Sequence, residues 1–494
     1  MINLLHRITE AGIALDVVDG QLKLFAKAKE IDPQLLSEIK ENKERIATYL
    51  LDTGTLNANS TATQVMIPVS EAESYALSPG QQRLWTLSQF ESGSSVYNMP
   101  YDIELEGTYN ITYFKQAIQA VIERHEILRT VFKTNEIGEV RQYVIPHKDF
   151  VFDVGYIDYR SVSNKERKVQ EYIANDAYTS FDLEKGPLLR ASLLQIEDNR
   201  YVFYYNLHHI ISDGWSMNIL SQDVLSYYNG YVNETAVQLE PLKIQYKDFA
   251  NWQLEQLNSE SSAISKEYWA KELSGDLPVL DVPSEIARPS VKSYEGHGYR
   301  TYFSKELTSR IKGFSKENGG SLFIGLLAAW NVLFHKYSSE QDIIIGSPTA
   351  GRDHADVLNQ IGFYINTIAL RNTVAPEMTF KTLYGQVKER TLASYNHQMY
   401  PFDRIIEDLD IQRSVGRNVI FDVLLALQNA GAQISDTDVA NIKTGEIEDL
   451  GGKAAKFDIE LSFAEIGSYL AFDITYNTAV YDEASIKRMM HHYQ

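Results

Sequence analysis

The sequence predicts a mixed α/β protein in two parts: a small α-β-β-α-α unit, then a large α/β body behind a linker. Three observations carry that prediction. At 494 residues and 44% hydrophobic, the chain is long enough for two or three cores. Segments with apolar residues at helical spacing alternate with segments of strand character, as expected of mixed sheets covered by helices. Between Asp52 and about Val65 the residues are Thr, Gly, Asn, Ser and Ala with almost no charge, a composition that buries little surface and reads as a flexible linker.

The elements follow in order. Leu4, Leu5 and Ile8 predict an apolar helix that stops at Gly12, and Asp19-Gly20 is a hairpin signal between two short strands. Asp32-Pro33 supplies an N-cap and a proline at the first helical position, and helical spacing runs through Leu35, Leu36 and Ile39, then Ile46, Tyr49 and Leu50. Beyond the linker, a helix opens at Thr112 and buries Phe114, Ala117, Ile118, Val121 and Ile122 at i, i+3, i+4, i+7, i+8. Tyr201 to Leu207 is aromatic and β-branched enough for a strand, as are Ile343 to Gly346 and Val419 to Leu427. Leu470, Phe472, Ile474 and Tyr476 alternate with Ala471, Asp473, Thr475 and Asn477 in a half-buried strand.

Composition removes several function classes. A formal net charge of -20, with basic residues scattered, disfavours nucleic acid and anionic membrane surfaces as partners. The longest apolar run, Leu322 to Phe334, is interrupted by Gly325 and Asn331, is too short to cross a bilayer, and predicts a buried helix. Met1 to Arg7 carries no signal-peptide pattern, so the expected location is cytoplasmic. With no cysteine, disulfides, thiolate metal sites and a thiol nucleophile are all excluded. The chain stops at His491-His492-Tyr493-Gln494 inside a helical pattern, so it is expected to be cut from a longer polypeptide.

His208-His209-Ile210-Ile211-Ser212-Asp213-Gly214 is the most informative stretch. It sets paired histidines at a strand end and an aspartate four residues on, in what reads as an Asp213-Gly214 turn where glycine is free to take a positive φ. Successive strand side chains point to opposite faces, so His208 and His209 are expected to divide into one working histidine and one structural neighbour. Two adjacent histidines can also be ordinary packed residues. A metal site is disfavoured, because adjacent strand residues diverge and no third ligand stands nearby; no metal is expected.

After residue 76 the body resembles the condensation domain of nonribosomal peptide synthetases, on a series of motifs in the family's order. They are Ser78-Pro79-Gly80-Gln81-Gln82-Arg83-Leu84-Trp85, Arg124-His125-Glu126-Ile127-Leu128-Arg129-Thr130, the His208 to Gly214 signature, and Tyr246-Lys247-Asp248-Phe249-Ala250-Asn251-Trp252. Ile361-Gly362-Phe363-Tyr364-Ile365-Asn366-Thr367, His397-Gln398-Met399-Tyr400-Pro401-Phe402-Asp403 and Arg413-Ser414-Val415-Gly416-Arg417-Asn418 complete the series. Tyr364-Ile365 departs conservatively from the Phe-Val often found there. Residues 1 to about 51 resemble a TubC-type N-terminal docking domain.

The resemblance implies a docking domain over 1–56, a linker over 57–75, and two chloramphenicol-acetyltransferase-like subdomains, 76–245 and 246–494, in a V shape, the second truncated at its end. It implies amide bond formation between an upstream acyl or peptidyl thioester and a downstream aminoacyl amine. Each would be carried by phosphopantetheine on a donor or acceptor peptidyl carrier protein, with no cofactor bound directly. The catalytic positions it implies are His209, His208, Asp213 and Gly214, with His209 nearest the reaction, as general base or as the acceptor that orients the amine. His208 is expected to pack and hydrogen bond, Gly214 to bring its N–H near the thioester oxygen, and Asp213 to form a structural ion pair with Arg352, with Arg124 as the fallback partner. Ile210 to Ser216 resembles the variant that accepts an L-configured donor. Epimerisation domains share the signature, starter domains draw their acyl donor from coenzyme A, and a non-catalytic carrier-recruiting platform would keep the same fold. In the front unit Gln21, Leu22, Lys23, Leu24, Phe25 and Lys27 form the expected docking surface. Its strand edge would receive the C-terminal docking segment of an upstream synthetase subunit, an acidic tail suiting Lys23, Lys27 and Lys29, although such lysines can equally protect an edge strand.

Overall fold

The computed structural model describes residues 4, 8, 13–18, 21–26, 32–47, 65–89, 95–237, 239–411, 416–428 and 444–494. Residues 48–64, with most of the linker, and the Asp19-Gly20 turn, Gly12, Lys27 and Lys29 lie outside them. Strands β1 (Ile13–Val18) and β2 (Gln21–Ala26) pair antiparallel with Val18 opposite Gln21, so two residues connect them, as the hairpin signal requires. A helix over Pro33–Glu41 follows. Ile8, Ile13, Leu15, Leu22, Leu35, Ile39 and Ile46 close a core of their own.

The rest of the described chain divides into two compact units, one of Val65–Ser259 with Asp356–Ile365 and the other of Glu260–Ala355 with Asn366–Gln494, which also takes in the residues before Val65. In the first, β3 (Tyr75–Ala76), β5 (Thr130–Thr134) and β6 (Val140–Val144) form a three-stranded sheet in the order β3-β6-β5. A four-stranded sheet has the order β4-β9-β8-β7, from β4 (Asn98–Glu106), β7 (Gly155–Asp158), β8 (Leu189–Glu197) and β9 (Arg200–His208). β9 is buried from Tyr201 to His208 without alternation, because helices cover both its faces. Val202 and Tyr204 pack with Val169 of the Lys165–Ala177 helix. On the other face Phe203 meets Phe114 edge-to-face at 4.9 Å, and the Tyr205 O–H donates to the Met217 carbonyl at 2.9 Å. Phe114 lies on the Ile111–Arg124 helix, which buries all five residues predicted for it. That helix starts one residue earlier than expected, because the Asn110 side chain accepts the Tyr113 N–H and caps it.

The second unit is built on a seven-stranded mixed sheet ordered β12-β11-β13-β15-β16-β10-β14. Its strands are β10 (Glu295–Phe303), β11 (Asp342–Thr349), β12 (Asn366–Thr373), β13 (Val423–Gln428), β14 (Glu448–Ala454), β15 (Ile459–Ile466) and β16 (Tyr469–Asn477). β13 begins four residues later than its apolar run, since Asp422 turns its carboxylate back to accept the Asn418 N–H at 3.0 Å and a bond from Arg417 at 2.8 Å. The apolar run from Leu322 forms a buried helix over Leu322–Ser338, with Trp330 stacked 4.2 Å from Tyr493. No helix among the described residues is long and apolar enough to cross a membrane.

Candidate active site

The site grows from the end of β9. The strand stops at His208, and the chain turns through a single 3-10 turn, His209–Ile211, before the Gly214–Asn233 helix. The two histidines therefore part because the backbone turns between them, rather than through the pleat of one strand. His208 is buried, its Nδ1 accepts the Ile210 N–H at 3.1 Å, and its ring sits edge-on to Phe181.

His209 remains half-buried. Its backbone N–H donates to the Tyr97 carbonyl at 2.8 Å, and its Nδ1 lies 2.6 Å from the Ser212 carbonyl oxygen. A carbonyl only accepts, so Nδ1 carries the hydrogen and the lone pair of the neutral imidazole falls on Nε2. That is the tautomer a proton acceptor needs.

Asp213 and Gly214 correct the sequence reading. They form no glycine turn: Asp213 is the N-cap of the Gly214–Asn233 helix, and Gly214 is its first residue, outside the set of positive-φ glycines. A carboxylate at an N-cap takes up N–H groups that have no partner inside the helix and suits the positive end of its dipole. Asp213 Oδ1 accepts the Ser216 N–H at 2.8 Å and its hydroxyl at 2.7 Å, while Oδ2 accepts the Tyr364 N–H at 3.0 Å.

Tyr364 belongs to Asp356–Ile365, the stretch that joins this unit from far along the chain. Motif residues fix that stretch at many points. The Gly362 N–H donates to Ser216 Oγ at 3.1 Å, Trp215 Nε1 to the Leu358 carbonyl at 3.0 Å, and the Tyr246 hydroxyl to the Phe363 carbonyl at 2.7 Å. Tyr246 spends its hydrogen on Phe363, so at 2.9 Å it accepts the hydroxyl of Ser78, whose Oγ in turn accepts the Gln81 N–H. The Phe363 ring then stands edge-to-face against the His209 imidazole, 4.9 Å between centroids at 83°.

A second buried network braces the same helix. Asp223 Oδ2 accepts from Arg124 Nε at 3.1 Å and sits 2.9 Å from His125 Nε2. His125 Nδ1 accepts the Ile361 N–H at 3.4 Å, so its hydrogen is on Nε2 and faces the carboxylate. Arg124 also donates to the Glu240 carbonyl at 2.7 Å. Arg124 thus anchors Asp223 in this network. Arg352 is buried in the other unit, three residues past β11 and just after Gly351, whose φ is +64°. Among the described residues no group of three or more His, Asp or Glu side chains is arranged to hold a metal ion.

Sequence reasoning quoted Gly80, Ser216, Tyr246 and Phe363 within motifs but assigned them no task. The signal was there only as co-occurring motifs; their convergence is three-dimensional.

A sequence model of the condensation domain matches residues 71–494. The chain belongs to the condensation domain family. A model of the TubC N-terminal docking domain matches residues 1–51 ahead of this condensation domain. Among relatives, gramicidin S synthase 2 of Brevibacillus brevis is 37% identical over 430 residues, covering 86% of this chain and 9% of the relative. Tyrocidine synthase 3 of Brevibacillus parabrevis is 37% identical over 426 residues, covering 86% and 6%. The chain thus spans less than a tenth of the length of these relatives. Among solved structures, the X-domain from teicoplanin biosynthesis superposes with a TM-score of 0.76 at 20% identity, over 87% of this chain and 95% of that one. A four-domain nonribosomal peptide synthetase gives 0.73 at 23% identity, over 88% and 33%. Condensation domains are peptide-bond-forming acyltransferases, and the chain is an enzyme of that class.

Proposed function

We propose that this condensation domain joins an upstream acyl or peptidyl thioester, of the L-donor type, to the amine of a downstream aminoacyl thioester. Each substrate is presented on the phosphopantetheine arm of a carrier protein. The observation that carries this reading is the tautomer of His209: with Nδ1–H given to Ser212, Nε2 is the atom that accepts from the attacking amine. An α-amino group of ordinary pKa, about 7.7 to 8.0, is already partly neutral near pH 7, so orienting its nitrogen counts as much as removing its proton. Gly214 offers an N–H from the first turn of its helix toward the thioester oxygen. An added Cβ there would meet nothing within 4 Å, so space beside it is open. Asp213 and Arg352 are proposed as a structural ion pair, with Asp213 supporting the site rather than reacting.

The 1–56 unit is proposed to dock an upstream synthetase subunit through β2, the linker to cover 57–75, and the subdomains to divide near 245. In the described residues β2 pairs only with β1, which leaves its other edge for an added strand. Lys23 and Leu24 are exposed, whereas Leu22 turns into the small core and would contribute only backbone. Cytoplasmic location is part of the same reading.

The teicoplanin X-domain, which shares this fold, forms a complex with OxyB, so a recruiting role is the second reading. The ordered His209 tautomer favours an active enzyme over a recruiting platform. The test is a two-carrier assay with loaded donor and acceptor proteins, scoring the dipeptidyl thioester by intact mass. Wild type should form product and His209→Ala should be slower by about 10²- to 10⁴-fold. Carrier binding without product in either protein, across matched substrate pairs, would reject the proposal.

A further inference from the structure

We infer that Phe363 is a positioning residue for His209, and that Gly80 exists at its position to give Phe363 its place. The inference rests on the condensation reading for its kinetic consequence but not for its geometry. The Nδ1–H bond to the Ser212 carbonyl orients the His209 ring from one edge. The χ2 well of an imidazole is intrinsically broad, so the packing on its faces also bears on where Nε2 points. The buried Phe363 ring, 4.9 Å away and nearly perpendicular, walls rotation about χ2.

Hydrogen bonds fix the backbone at and around Phe363. Its carbonyl takes the Tyr246 hydroxyl, and its neighbours are tied on either side, Gly362 to Ser216 and Tyr364 to Asp213. Gly80 supplies the independent observation. Ala would ordinarily be the better helix residue by about 1 kcal/mol. In the Pro79–Ser88 helix, however, a Cβ on Gly80 would stand 2.6 Å from Phe363 Cε1 and 3.1 Å from Cδ1, so the ring would have to move. Residues of four motifs, Ser78 with Gly80, Asp213 with Ser216, Tyr246, and Gly362 with Tyr364, thereby act on the histidine through one aromatic ring.

The experiment uses the whole chain and two readouts. Phe363→Leu, which keeps most of the volume, should lower kcat about 10- to 100-fold while leaving KM for both carriers unchanged. Gly80→Ala should show the same split. The double variant should lose no more than Phe363→Leu alone, because the smaller side chain removes the clash. Independently of any substrate, diethyl pyrocarbonate modification of His209, followed by peptide mass, should be faster in Phe363→Leu than in wild type. Wild-type kcat and an unchanged modification rate in Phe363→Leu, or additive losses in the double variant, would overturn the role. If no condensation is found even in wild type, the modification rates still decide the positioning claim, so the two readings fail separately.

Discussion

The Tyr364 backbone N–H donates to Asp213 Oδ2 at 3.0 Å, joining a residue of the histidine signature to one 151 positions later. The other oxygen of the same carboxylate caps the helix that follows the signature. One side chain therefore sets both where the helix begins and where the distant stretch of chain lies, a structural task that needs no contact with substrate.

Replacing it separates those two tasks. Asp213→Asn keeps an oxygen for the Ser216 N–H but presents an amide to one of the remaining donors and removes the charge proposed to pair with buried Arg352, and should cost about 3 to 5 kcal/mol. Asp213→Ala also loses the cap, a further ~1 kcal/mol. Urea unfolding of the two variants beside wild type checks the order; equal losses would mean that the cap contributes nothing.

Asp223 receives both Arg124 and His125 in a buried setting. Its removal leaves the half-buried Arg124 guanidinium without its carboxylate and the buried His125 Nε2–H without its acceptor, so Asp223→Ala should destabilise by about 1 to 3 kcal/mol. Adding Arg124→Met should restore part of that loss, but not all of it, because the His125 Nε2–H still lacks its acceptor. No recovery in the double variant would show that the charge was not the source of the cost.

Desolvation pushes the Asp353 carboxyl up from its ordinary 3.8 to about 6, opposed only by the Gln398 amide at 3.4 Å. Because the folded-state pKa is raised, the folded protein holds more protons between these values, and stability falls as pH rises through the window. The full difference is at most about 3 kcal/mol. Asp353→Asn removes this dependence, so its advantage over wild type should be small at pH 4 and largest at pH 7. Thermal midpoints at four pH values suffice, and a gap that does not change with pH would contradict the assignment.

Local pattern determined much of this protein. The five buried residues of the Ile111–Arg124 helix, the hairpin register at Val18 and Gln21 and the buried helix from Leu322 were legible, because periodicity and turn chemistry act over a few residues, whereas in β16 the alternation breaks where Ala471 and Asn477 are buried too. The family was legible too, from motifs in order. The Asp213-Gly214 pair was not: the same dipeptide serves a turn or a helix N-cap, and only the packing of the Gly214–Asn233 helix against β9 selects the cap. Nor does anything in linear order announce that Asp356–Ile365 belongs with Val65–Ser259. Tertiary structure decided that, and with it the meeting of Gly80, Tyr246 and Phe363 at His209. Such contacts depend on which surfaces close over one another, which residue spacing along the chain does not encode.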